Sequence, residues 1–366
     1  MSQQRLTINP QIFKWLKKEF QLSDVDIAKK MGIKKVENYI KIEEGITKPT
    51  LIQVRRLSKT LKIPLMVFYL KRQPDGKELP IDYRNKIDSS LSVKSILAIR
   101  RGYLIQDLML SFSDEQQFQL QHLSNLKPIE VAQTMRNMFK YSPQDRINPD
   151  DLFTQLRTKI ESLGVITLAL SLDRNDLRGF SLIGQLPVIA VASADAKSSQ
   201  IFTLLHELFH VIKRQTGLCQ PLTSGLGSIE AQCNQFASNF LITPTELKQA
   251  LIEDDSTEDA NLRRIANQFK TSREVILIKM IEQGLATWKE YEKKSEVWQE
   301  EYKNQKSFGR QADPIRKAWR ENGHKVTQRI FNQLTSEDMT QSEAAHYLNI
   351  KASYIDFIGE RQMSRL

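Results

Sequence analysis

The feature that most constrains this chain is the run His206-Glu207-Leu208-Phe209-His210. Histidines four apart project from one face of a helix, at a spacing that lets both imidazoles hold a single Zn²⁺, and Glu207 stands beside them. A water activated at such a centre needs a neighbouring carboxylate to take its proton, which makes Glu207 the candidate catalytic acid/base. The helix is expected to begin near Ser198 or Ser199 and to end near Gln215, with Gly217 as its stop. The competing reading is two partly buried structural histidines.

Two histidines do not complete a site, so a third donor must come from another element brought against this face. The next helical stretch, after Ser228 and before Pro244, has a buried stripe of Phe236, Ala237, Phe240 and Leu241. Stepping back along it in threes and fours reaches Asn234 and then Glu230. A carboxylate facing the core is costly without a cationic partner, and a zinc held by His206 and His210 would supply one. Glu230 can also be read as a first-turn acid favoured by the helix dipole. Asn234 either bonds a ligand or braces the helix, and Cys233, one step off that line, reads as a small buried core residue.

The net charge of +10 has a location. Residues 1–74 carry 16 Lys and Arg against 6 Asp and Glu, and the rest of the chain is balanced at 37 of each. The excess positive charge can attract a polyanion such as DNA, or can be a solvated surface. This block reads as five short helices: Pro10–Phe20, Ser23–Met31, Lys35–Glu44, Thr50–Leu61 and Pro64–Leu70. Ser23 is a cap, Gly32 and Gly45 are stops, and Pro10 and Pro64 take first-turn positions. Ile27, Ala28, Val36 and Ile40 about the Gly32-Ile33 turn give helix-turn-helix spacing. On the third helix Lys34, Lys35, Asn38 and Lys41 are candidate DNA contacts, whereas Glu37, Glu43 and Glu44 oppose phosphate.

Arg72–Lys77 is a turn-rich linker, and Ser89–Phe139 returns to a helical pattern. Three runs rich in apolar and β-branched residues come next, Val165–Leu170, Gly179–Ile183 and Pro187–Val191, and are expected to form a small three-strand sheet. Arg263–Gln283 is amphipathic, and Trp288–Lys306 is a charged helix most simply read as a solvated face or spacer. An offset of 317 aligns Leu22-Ser23 with Met339-Thr340, Ala28 with Ala345, Met31 with Leu348, and Ile33-Lys34 with Ile350-Lys351. The tail therefore reads as a second helix-turn-helix-like element. Its third helix, Ala352–Ile358, offers Tyr354, Asp356 and Phe357 and suits protein contact better than DNA. The two cysteines, Cys219 and Cys233, form no disulfide framework. With no apolar run long enough for a membrane span and no leader pattern at Met1, the expected location is cytoplasmic.

Two resemblances sharpen these readings. Leu22-Ser23, Ile27–Ile33, Ile42–Gly45 and Pro49-Thr50-Leu51 resemble the XRE/Cro-type repressor domain over about 70 residues. Phe202–His210, Glu230–Ala237 and Leu241–Pro244 resemble the ImmA/IrrE family of metallopeptidases, whose pattern is FTLxHELGH followed by ExxANxFAxxLLMP. Phe209 stands where that pattern has Gly, and Cys233 where it has Ala. The resemblance implies metal ligands at His206, His210 and Glu230, a catalytic role for Glu207, and a zincin-like domain.

The fold expected is α+β and predominantly α. It comprises a helix-turn-helix domain at 1–74, a metallopeptidase domain with leading helices at 75–290, and a helical C-terminal domain at 291–366. The resemblance implies a zinc-dependent endopeptidase cutting a repressor or antitoxin-like protein, with manganese compatible with the same donors. Expected partners are that protein substrate and DNA, without a membrane, and a homodimer stays open. The alternative is a DNA-binding regulator or antitoxin of a toxin–antitoxin pair, with a structural or sensory metal and no proteolysis.

Overall fold

The computed structural model describes residues 5–74, 91–112, 117–143, 148–173, 176–215, 217–219, 229–251, 256–304 and 313–355. They form a mostly helical α+β architecture divided into two compact units, one of residues 5–74 with 91–101 and one from residue 102 onward. The helix Val93–Leu110 contributes to both.

The first unit is made of α1 (Gln11–Phe20), α2 (Asp24–Met31), α3 (Val36–Glu43) and α4 (Leu51–Leu61). Ser23 caps α2 by accepting from Asp26 N–H, and Thr50 caps α4 by accepting from Gln53 N–H. Gly32, at φ 76°, ends α2 in the left-handed conformation that glycine adopts without strain. Phe13 fixes the core, with its ring edge-on to Tyr39 at 5.8 Å and tilted against Phe68 at 6.1 Å.

Three expectations change here. The fifth helix is a 3-10 turn, Leu65–Tyr69, since a five-residue segment behind Pro64 is too short to propagate an α-helix. Tyr39 and Ile42 form the buried apolar face of α3, while Val36 and Ile40 are only half-buried. Glu43 is buried too, bound to Lys17 Nζ at 2.7 Å, and so does not face outward with Glu37 and Glu44.

The second unit surrounds a mixed sheet in the order β1-β3-β2-β4, with β1 Ile166–Leu170, β2 Gly179–Leu182, β3 Val188–Ala192 and β4 Gly217–Cys219. β1 pairs parallel to β3, and β2 pairs antiparallel to both β3 and β4. Every residue of β1, β2 and β3 is buried, as expected where short, mostly apolar strands are covered on both faces. β4 is an addition to the three expected strands: Gly217 opens it instead of ending the preceding helix, which is capped at Lys213.

Numbering Val93–Leu110 as α5, the helices that position the site are α6 (Pro128–Phe139), α7 (Pro149–Glu161), α8 (Lys197–Ile212) and α9 (Ile229–Leu241). α8 lies against β2, β3, α7 and α9, and its residues 203–212 are buried on every side. Beyond them come α10 (Pro244–Ala250), α11 (Asp259–Gln268), α12 (Arg273–Glu282) and α13 (Trp288–Asn304). The single helical stretch expected at Arg263–Gln283 is broken by Lys270 at φ 55° and restarts at the Ser272 cap. α13 is more than a solvated spacer. Its Trp298 is buried, donates to Asp259 Oδ1 at 2.8 Å and lies under the Arg273 guanidinium.

α14 (Pro314–Thr335) runs against β1 and α7, and α15 (Gln341–Leu348) packs on α14. Gly323 interrupts α14 at φ 77° and ψ 175°, where an added Cβ would collide with the Glu161 carboxylate and lie 2.9 Å from Thr167 O. Around it Arg157 donates to Arg320 O at 2.6 Å, Thr167 O at 2.6 Å and Thr167 Oγ1 at 2.7 Å. The Glu161 carboxylate accepts from Thr167 Oγ1 and, at 3.0 Å, from Lys325 N–H. Of the expected third helix of the tail only a 3-10 turn, Ala352–Tyr354, falls within the described residues, and Asp356 and Phe357 lie outside them. No helix of the described residues is long and apolar enough to cross a membrane.

Candidate metal centre

His206 and His210 sit one turn apart on α8 with ring centroids 5.1 Å apart, and both are almost wholly buried. α9 brings Glu230 to them, with one carboxylate oxygen 3.2 Å from His206 Nε2 and the other 3.1 Å from His210 Nε2. Zinc–nitrogen and zinc–oxygen bonds of about 2.0–2.2 Å in a tetrahedral site put neighbouring donors about 3.3 Å apart. The two histidine–carboxylate separations come within a few tenths of an ångström of that edge and the donor atoms of the two histidines lie within 4.8 Å of each other, so the three side chains are placed to share a divalent metal.

Asn234, one turn beyond Glu230, orients the first histidine. Its Oδ1 lies 2.8 Å from His206 Nδ1. The amide oxygen can only accept, so the Nδ1 carries the proton, and Nε2 can present its lone pair to a metal. Burial pushes the His210 imidazole down from its ordinary range, partly offset by Glu230, which favours the neutral form that ligates. Burial alone would push Glu230 up, but the neighbouring His206 and His210 outweigh it and hold the carboxyl far below the usual range. A carboxylate and a neutral imidazole are the ionisation states a metal requires.

Glu207 is fully buried beside the histidines and lies against β2. An added Cβ on Gly179 would lie 2.9 Å from Ala190 O and 3.3 Å from Glu207 Oε1, and would also collide with Thr203. Glycine is thus required for α8 to approach the strand closely enough to seat Glu207. Sequence reasoning passed over Gly179. The available signal was a glycine opening an apolar strand, which marks close approach of another element.

Phe209 occupies the middle of the motif without entering the donor cluster. Its ring stacks on Phe236 of α9 at 5.1 Å and 25°, with Lys213 Nζ 5.2 Å from its centroid. Its bulk is absorbed in the packing that joins α8 to α9. Cys233 is a buried core residue as expected, yet a donor atom of each of His206, His210 and Cys233 lies within 4.8 Å of the others. Burial raises its thiol well above the ordinary range, and the Glu230 and Glu207 charges add to that.

In the first unit Lys34, Lys35, Asn38 and Lys41 are all exposed, with Lys35 at the start of α3 and Lys41 in its last turn. They lie on a different unit from the donor cluster.

Two histidines on one helix, a carboxylate on the next and a buried acid beside the histidines define a candidate divalent-metal centre. Residues 160–280 match the family model described as the IrrE N-terminal-like domain, a peptidase family. The match holds both donor helices and the sheet. None of the curated proteins matches the chain.

Proposed function

We propose that this chain is a metal-dependent endopeptidase that cuts a specific regulatory protein, a transcriptional repressor or an antitoxin-like partner, and that residues 1–74 bind DNA. The observation that carries the catalytic reading is the convergence of His206, His210 and Glu230 at 3.1–3.2 Å, with Glu207 buried on the same helix. A bound zinc would supply a Lewis acid for the scissile carbonyl and for the attacking water. Glu207 takes a proton from that water and delivers it to the leaving amine, while Asn234 holds the His206 ring in place. Two imidazoles and a carboxylate also accept manganese.

DNA binding is supported by the charge of residues 1–74, the exposed Lys34, Lys35, Asn38 and Lys41, and the short turn between α2 and α3. Such a unit would raise the enzyme's effective concentration at promoters where its substrate sits.

Metal content is the primary test. About one metal ion per wild-type chain, lost in both His206→Ala and Glu230→Ala, is the expected result, and a wild-type chain that stays metal-free when zinc is supplied overturns the proposal. Glu207→Gln should keep the metal and lose cleavage of a co-encoded repressor by at least a hundredfold, about 2.7 kcal/mol of transition-state stabilisation. A second reading, a DNA-binding regulator with a structural or sensory metal, is favoured by Cys233, because a further protein donor would close the centre. A Glu207→Gln variant that regulates as the wild type does would select it.

A further inference from the structure

Each of the two helices at the centre presents two donor-type side chains toward the other. α8 offers His206 and His210 four residues apart, and α9 offers Glu230 and Cys233 three residues apart. Glu230 meets both imidazoles, and the Cys233 sulfur shares a cluster with donor atoms of the same two imidazoles, all three residues being buried.

We infer that Cys233 is a fourth protein donor to the metal, closing the centre that His206, His210 and Glu230 begin. The inference rests on the metal-centre reading proposed for these residues. Zinc–sulfur bonds of about 2.3 Å and zinc–nitrogen bonds of about 2.0 Å place the donors of a tetrahedral site about 3.5 Å apart. The donor atoms of His206, His210 and Cys233, all within 4.8 Å of one another, reach that spacing by a movement of at most about 1.3 Å, within the range of a rotamer adjustment of Cys233. On ligation the Cys233 S–H proton leaves as the sulfur–metal bond forms, and solvent carries it away. Two imidazoles, a carboxylate and a thiolate fill a tetrahedral site, so no position is left for water. The thiolate also shifts the metal preference from manganese toward zinc. The resting protein therefore holds a latent centre, and hydrolysis requires Cys233 to be displaced.

Cobalt(II) loaded into the metal-free full-length chain tests this, because thiolate ligation adds a near-ultraviolet sulfur-to-cobalt charge-transfer band. The wild type should bind about one equivalent and show the band. Cys233→Ala and Cys233→Ser should each still bind cobalt with the band absent, and Cys219→Ser should retain it. Acetohydroxamate should perturb the visible spectrum of the cobalt-loaded Cys233→Ala variant, where a position is free, and leave the wild type unchanged. A band that persists in both Cys233 variants overturns the inference. So does a wild-type spectrum that lacks the band while His206→Ala abolishes cobalt binding, and in that case the three-donor centre survives. Failure of the wild type to bind cobalt or zinc at all overturns the centre together with its fourth ligand.

Discussion

Helices α2 and α15 are built by the same local chemistry and set in different surroundings. Each is eight residues long and opens with a capping box, Ser23 with Asp26 in one and Thr340 with Glu343 in the other. Each buries a short apolar face and ends on a left-handed residue, Gly32 or Asn349, after which Ile33 N–H bonds Ala28 O and Ile350 N–H bonds Ala345 O. Beyond that turn they part. Gly32 leads into α3 with exposed Lys34, Lys35, Asn38 and Lys41, whereas among the described residues Asn349 is followed by the 3-10 turn Ala352–Tyr354. α15 is also held to α14, whose Asn322 side chain donates to Leu348 O at 3.2 Å. Cap and turn residues determine that a helix pair forms. The charge of the segment after the turn determines what the pair is good for.

The largest effect should come from the anchor that only the second copy has. Arg157→Ala would leave Glu161 buried without its guanidinium and should cost about 3–5 kcal/mol, read as a lower denaturant midpoint with no change in the metal donors. Gly323→Ala should cost about 3 kcal/mol through overpacking and a left-handed alanine. An unchanged midpoint in both variants would remove the anchor from the comparison.

Polyanion binding is the next contrast. Reversing Lys34, Lys35 and Lys41 to Glu should weaken duplex DNA binding on the order of a hundredfold and flatten its salt dependence by about three phosphate contacts. Lys351→Glu, after the α15 turn, should leave binding unchanged, and equal losses in the two variants would erase the distinction.

Smaller effects test the shared part. Ser23→Ala and Thr340→Ala should each cost about 1 kcal/mol, since each removes the side chain that accepts from the third helical N–H. The smallest effect is in titration. The Asp26 carboxyl lies below the ordinary aspartate range because the Ser23 hydroxyl and N–H donate to it, and Glu343 is lowered in the same way by Thr340. Folded values below the unfolded ones mean that both boxes stabilise above the ordinary carboxylate range and lose that contribution as pH falls through the folded values. Carbon-detected titration should find both carboxyls low, and a normal value for either would show that box to be open in solution.

The mostly helical α+β class was legible because its signals are local. Ser23 and Thr50 with their partners mark helix starts, and the three strands are short runs rich in apolar and β-branched residues. At the candidate centre the i,i+4 spacing of His206 and His210 and the helical phase of Glu230 and Asn234 were readable for the same reason. The features that escaped depend on contacts between distant segments. Nothing near Gly179 announces that α8 will press on it, and the stacking of Phe209 on Phe236 exists only once α8 and α9 meet. Stepping along α9 in threes and fours from its buried stripe reaches Glu230 and leaves Cys233 off the line, although the Cys233 sulfur lies within 4.8 Å of a ring nitrogen of each histidine. β4 has three residues and no periodicity to read, and the Arg157 knot joins residues more than 160 apart in sequence.

That knot bears on how such a chain can be divided or recombined. Arg157 and Glu161 satisfy much of their hydrogen-bonding capacity on the backbone of α14, at Arg320 O, Glu321 O and Lys325 N–H. A fragment stopping before Pro314 would expose two charges tuned to groups it no longer contains. Trading the tail for another would succeed only if the newcomer offered a glycine break and carbonyls at the same place. Helix α14 is therefore inherited with the strand it covers, and its sequence should drift in step with α7 and β1, not as an independent cassette.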